Sequence, residues 1–63
     1  MLAINDVVKL KEPFGDETQT YVIADVMGID EDGAPALTTG KDAVYFQYLL
    51  GDSYYAEHFI IKV

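Results

Sequence analysis

The stretch Tyr45 to Val63, YFQYLLGDSYYAEHFIIKV, decides the fold. Tyr45 to Leu50 and Ser53 to Ala56 are dense in aromatic and apolar side chains suited to a pleated, half-buried surface. Only Gly51-Asp52 separates them, the length of a tight hairpin turn. Glu57-His58-Phe59 then reads as a short 3₁₀ turn before a closing strand, Ile60 to Val63. Strand, tight turn, strand, short break and strand make an antiparallel meander, and the same grammar recurs upstream.

Working back toward the start, Ala43 to Leu50 reads as one strand, with Val44, Phe46 and Tyr48 on one face and Tyr45, Gln47 and Leu49 on the other. Thr39-Gly40-Lys41-Asp42 is a turn, and Ala34 to Thr39 reads as a short strand whose Pro35 marks an edge. Ile29-Asp30-Glu31-Asp32-Gly33 is expected to be a hairpin tip, its acids a solvated turn. It fails as an EF-hand loop, because Gly33 directly follows Asp32 and the twelfth position counted from Asp30 is Lys41. Thr18 to Ile29 is too long for a simple strand and its apolar residues change parity, Tyr21 and Ile23 against Val22, Ala24 and Val26. Such a segment is central or bent by a bulge, here expected near Ala24 to Val26. Glu12 to Glu17 is an acidic loop carrying Phe14, and Val7 to Lys11 alternates as a first strand. The expected core is Val8, Leu10, Val22, Val26, Leu37, Val44, Phe46 and Ile61.

The chain has 63 residues, room for one domain over residues 1–63 whose core supplies no more than about 3–5 kcal/mol of net stability. It has no Cys and a single His, so disulfides, thiolate metal sites and a His-based zinc site are all excluded. Half of it is hydrophobic (51%), too apolar for disorder despite a net charge of −7. Eleven acids face four lysines and no arginine, which disfavours direct nucleic-acid binding and an anionic membrane surface. The opening residues lack the basic and apolar regions of a signal peptide, and no run approaches membrane-spanning length, so a cytoplasmic protein is expected.

Asn5-Asp6-Val7-Val8-Lys9-Leu10-Lys11 resembles the first strand of small SH3-like barrels of the KOW and Tudor type. Ala56-Glu57-His58-Phe59-Ile60-Ile61-Lys62-Val63 resembles their ending, an acidic 3₁₀ turn leading into a brief last strand. The resemblance implies an all-β, SH3-like barrel of five to six short antiparallel strands with a 3₁₀ turn before the last. Members that bind nucleic acid carry basic, Gly-rich loops, whereas the loops here carry Glu12, Asp16, Glu17, Asp30, Glu31 and Asp32.

Catalysis requires a nucleophile or an acid–base pair in a pocket, and Glu57-His58 is the only pairing of note. Neighbours on a strand or turn point apart, and so small a barrel fills its interior with its own side chains. No enzyme, cofactor or small-molecule substrate is therefore expected. The alternation that buries Phe46 turns Tyr45 outward, and one of Tyr54 and Tyr55 must face out with it. Tyrosine buries much area for little rotamer entropy, and Asp52 and Glu57 nearby would steer a basic partner. The candidate partner-binding set is Phe14, Tyr45, Asp52, Tyr54, Tyr55 and Glu57, serving an acidic interaction module that binds a basic protein or a second copy. The alternative is an acidic decoy, a phage-type inhibitor that occupies a basic nucleic-acid-binding groove.

Overall fold

A computed structural model describes residues 2–15 and 18–63. Asp16 and Glu17, expected in the acidic first loop, lie outside the described residues. The chain is mostly β, built of two three-stranded antiparallel sheets. The first has the order β2-β1-β6, from Val7–Leu10 (β1), Thr20–Val22 (β2) and Ile60–Lys62 (β6). The second has the order β3-β4-β5, from Asp25–Ile29 (β3), Tyr45–Leu50 (β4) and Ser53–Ala56 (β5). Among the described residues, no helix is long and apolar enough to cross a membrane.

The hairpin read from Tyr45 to Ala56 is present, with Leu50 paired to Ser53 and Tyr48 to Tyr55. Gly51 sits at the first of the two turn positions with φ 65°, a conformation that costs a glycine nothing and that a two-residue turn needs to follow the strand twist. Glu57–Phe59 forms the expected 3₁₀ turn and carries the chain from β5 in one sheet to β6 in the other.

The long segment from Thr20 to Ile29 is divided between the sheets. Ile23 still belongs to the first, accepting from Asn5 N–H at 2.8 Å and donating to the Asp6 carbonyl at 3.0 Å. Ala24 already belongs to the second, donating to the Leu49 carbonyl at 3.0 Å, while Asp25 is the residue in register with Leu49. Two consecutive residues thus oppose one, the geometry of a β-bulge. The extra residue inverts the alternation: Tyr21 and Ile23 point inward before it, and Val26 packs against the core after it.

That inversion corrects part of the expected core. Val22 is exposed, paired across the outer face with Val7, which is exposed too. Val44, which precedes β4, is exposed as well, and so is Leu37, because Ala34 to Thr39 is not a strand. Its only strand-like feature is an isolated bridge from Pro35 to Ile29, after which Ala36–Thr39 makes one helical turn (α1) closed by Gly40 N–H on the Ala36 carbonyl. Val8 and Leu10 are buried as expected, Val26 and Phe46 are partly buried against the core, and Ile61 is half-buried. The enclosed cluster is Leu2, Val8, Leu10, Ile23, Tyr48, Leu50 and Ile60, drawn from both sheets and the segment before β1. Tyr48 lies at its centre, 0% exposed, and its hydroxyl accepts the Leu2 N–H at 3.2 Å. A phenol this deep finds a partner for its one polar atom while its ring fills the core.

Candidate functional site

A shallow hollow of about 480 Å³ opens where β4 meets the 3₁₀ turn, lined by Tyr45, Phe46, Gln47, Ala56, Glu57 and His58. Cross-strand pairing explains the grouping. Gln47 stands in register with Ala56, so Tyr45 at the start of β4 faces the chain as it leaves β5 into the turn. Tyr45 is exposed, as the alternation of β4 requires with Tyr48 and Leu50 buried.

The hollow continues into a chain of rings. His58 lies tilted on Phe59 with centroids 4.0 Å apart, and Phe59 meets Phe14 edge-on at 4.5 Å. Phe14 also contacts Tyr55, edge-on at 6.0 Å. Phe14 therefore folds back from the first loop onto the 3₁₀ turn, yet keeps half its surface in solvent. Edge-to-face rings of this kind hold one another in place beyond their burial alone. The loop is anchored by Phe14 N–H on the Lys11 carbonyl at 3.2 Å, and Lys11 N–H donates to the Phe59 carbonyl at 2.8 Å.

Tyr45 and Glu57 of the candidate set thus line one hollow, and Phe14 and Tyr55 touch each other beside it, with Phe59 joining Phe14 to His58. Tyr54 and Asp52 do not join them. Tyr54 is in register with Leu49, on the same outer face as Tyr45 but farther along toward the hairpin tip, where its hydroxyl donates to Asp25 Oδ2 at 2.6 Å. That hydrogen bond, with burial second, raises the phenol above its ordinary pKa. Asp52 sits exposed at the hairpin tip, the end remote from Glu57. His58, Phe46 and Gln47 were absent from the candidate set. Their signal was the β4 register, which sets Gln47 beside Ala56 and so carries the 3₁₀ turn to the foot of β4.

Asp30, expected to be solvated at a hairpin tip, is enclosed instead. It is buried, 1% exposed, and its carboxylate accepts from the Thr39 hydroxyl, from Asp32 N–H at 2.9 Å and from Ala34 N–H at 3.1 Å. The Thr39 hydrogen bond is the main influence on its pKa and outweighs burial, so the carboxyl lies below its ordinary value. Asp30 organises the loop that carries α1 and holds Thr39 against it. Lys41 pairs with Asp32 on the rim.

The lysines divide by sheet. Lys9 on β1, Lys11 just after it and Lys62 on β6 belong to the first sheet, whereas Lys41, the remaining lysine, is engaged by Asp32. Asp25, Glu31, Asp42, Asp52 and Glu57 all lie on the second sheet, its loops or the 3₁₀ turn. Among the described residues, no three His, Asp or Glu side chains are grouped to hold a metal ion. Comparison with known proteins finds no family model, no characterised sequence relative and no solved structure that matches this chain.

Proposed function

We propose that this chain is a non-enzymatic interaction module, that its two sheets are the halves of an SH3-like barrel, and that it binds a basic protein segment through the hollow between Tyr45 and His58. The barrel reading rests on the two places where the chain changes sheet, Ile23–Ala24 and Glu57–Phe59, together with the orders β2-β1-β6 and β3-β4-β5. The functional reading rests on one observation: exposed Tyr45 shares a hollow with Glu57 and His58, and this hollow adjoins the half-exposed Phe14. Preformed aromatic surface beside a carboxylate offers a basic side chain both a ring face and a counter-charge. The module is favoured over the acidic decoy because carboxylates are interleaved with tyrosines, Asp25 under Tyr54 and Glu57 beside Tyr45.

The test replaces Tyr45 and His58 together by Ser and compares capture of partners from the native host with that of the parent and of Tyr54→Ser. Loss of captured partners with the double variant, and their retention with Tyr54→Ser, is the expected result. Equal capture by the parent and the folded double variant removes this face. Salt-sensitive capture of a nucleic-acid enzyme that depends on Asp42 and Asp52, with Tyr45 dispensable, would favour the decoy.

A further inference from the structure

We infer that the open edge of β3 is a strand-addition site for an extended partner segment that alternates apolar and basic side chains. Among the described residues β3 pairs within its sheet only with β4, and beyond the Ile29–Pro35 bridge its outer side faces α1 across a groove rather than a further strand. The backbone direction along β3 is known at its end. The Ile29 carbonyl accepts Val44 N–H on the β4 side, whereas Asp30 N–H donates to the Ala34 carbonyl on the outer side. Peptide groups alternate along a strand, so the N–H groups of Gly28 and Val26 point outward as well. The bulge at Ala24–Asp25 and the ring of Pro35 bracket this stretch, and neither covers it.

A groove of about 280 Å³ runs along the edge, with Val26, Met27 and Gly28 on one side and Pro35 and Leu37 on the other. Leu37 is fully exposed on α1, which the Thr39–Asp30 hydrogen bond pins to the loop. A leucine held out on a fixed turn beside outward-pointing strand amides supplies both elements of strand addition, backbone hydrogen bonds and a contact for alternate side chains.

Charge selects the occupant. Asp25 lies at one end of the groove and Asp42 lines the hollow on the far side of Leu37. The nearest cation, Lys41, is engaged by Asp32, and the other lysines belong to the first sheet. A second copy would bring the same acidic edge and another net charge of −7, whereas a segment with Lys or Arg at alternate positions would meet Asp25 while its apolar residues cover Leu37 and Met27.

The test is an NMR titration of the full ¹⁵N-labelled chain with a capped hexapeptide alternating Val and Arg, taken to millimolar concentration. Amide shifts at Val26, Met27, Gly28 and Leu37 are expected. Binding should weaken at least about tenfold in Leu37→Ser, whose side chain is solvated and so leaves the fold intact, and equally when alternate peptide nitrogens are methylated. Undiminished binding of the N-methylated peptide, equal binding of a Val–Glu peptide, shifts confined to Tyr45 and His58, or no shifts at all would each overturn the proposal. Dimerisation through the same amides without peptide would overturn the choice of occupant.

Discussion

Tyr54 donates its hydroxyl to Asp25 Oδ2 across Leu49 of the intervening strand, joining the two edge strands of the β3-β4-β5 sheet on its outer face. The tie fixes a tyrosine that would otherwise be free for a partner. It also makes stability sensitive to alkali. The folded-state pKa of Tyr54 is raised by the Asp25 hydrogen bond first and by burial second, so its contribution is complete below the unfolded value of about 10 and is lost as pH rises through the folded value. Tyrosinate absorbance should therefore show a late-titrating phenol, and Asp25→Asn should move that step to lower pH. An unmoved step would show that the Asp25 carboxylate does not set it.

Asp30 gives the opposite dependence. Its folded pKa is lowered, so its contribution is present above the unfolded value near 3.8 and disappears as pH falls through the folded value. Amide exchange at Asp32 and Ala34, whose N–H groups the carboxylate accepts, is expected to accelerate in that acid window before the rest of the chain responds. Asp30→Ala should show the fast exchange already at neutral pH. Protection unchanged at both amides in the variant would contradict the assignment.

Core and surface leucines should separate cleanly. Leu10→Ala removes side-chain atoms from the enclosed cluster and is expected to cost about 2–5 kcal/mol in denaturant unfolding. Leu37→Ala changes a solvated side chain and should stay within about 0.5 kcal/mol of the parent. Comparable losses in the two variants would place Leu37 in a packed core.

Gly28→Ala tests a close approach. A Cβ at Gly28 would lie 2.8 Å from the Ala43 Cβ, below any real contact distance, with Phe46 Cε1 at 3.5 Å. The variant is expected to lose about 1–3 kcal/mol, and Ala43→Gly in the same chain should recover most of it. Additive losses in the double variant would show that the two sites do not meet.

Tyr48→Phe strands the Leu2 N–H, whose hydrogen bond to the phenol is buried. A loss of about 1–3 kcal/mol is expected, with a raised exchange rate at Leu2. An unchanged melting curve would mean that water replaces the hydroxyl without cost.

The first strand, the β4–β5 hairpin with its Gly51-Asp52 turn, the Glu57–Phe59 break and the inward face of β4 were legible in the sequence, because each is a local pattern: alternation, a turn dipeptide, an interruption. The need for a bend between Tyr21 and Val26 was legible too, since apolar residues occur on both parities there. Which parity went inward on each side of it was decided by the tertiary structure, because one extra residue opposite Leu49 inverts every side chain beyond it. The same holds for Ala34 to Thr39. Its composition permitted a strand, and the helical turn goes with a buried acceptor, Asp30, nine residues from Thr39. The candidate site divided for a like reason. Tyr54 and Tyr55 are neighbours in sequence, but the pleat sends one to Asp25, twenty-nine residues away, and the other to Phe14. Periodicity along the chain says which residues share a face of a strand; only the packing of sheet against loop says what that face meets.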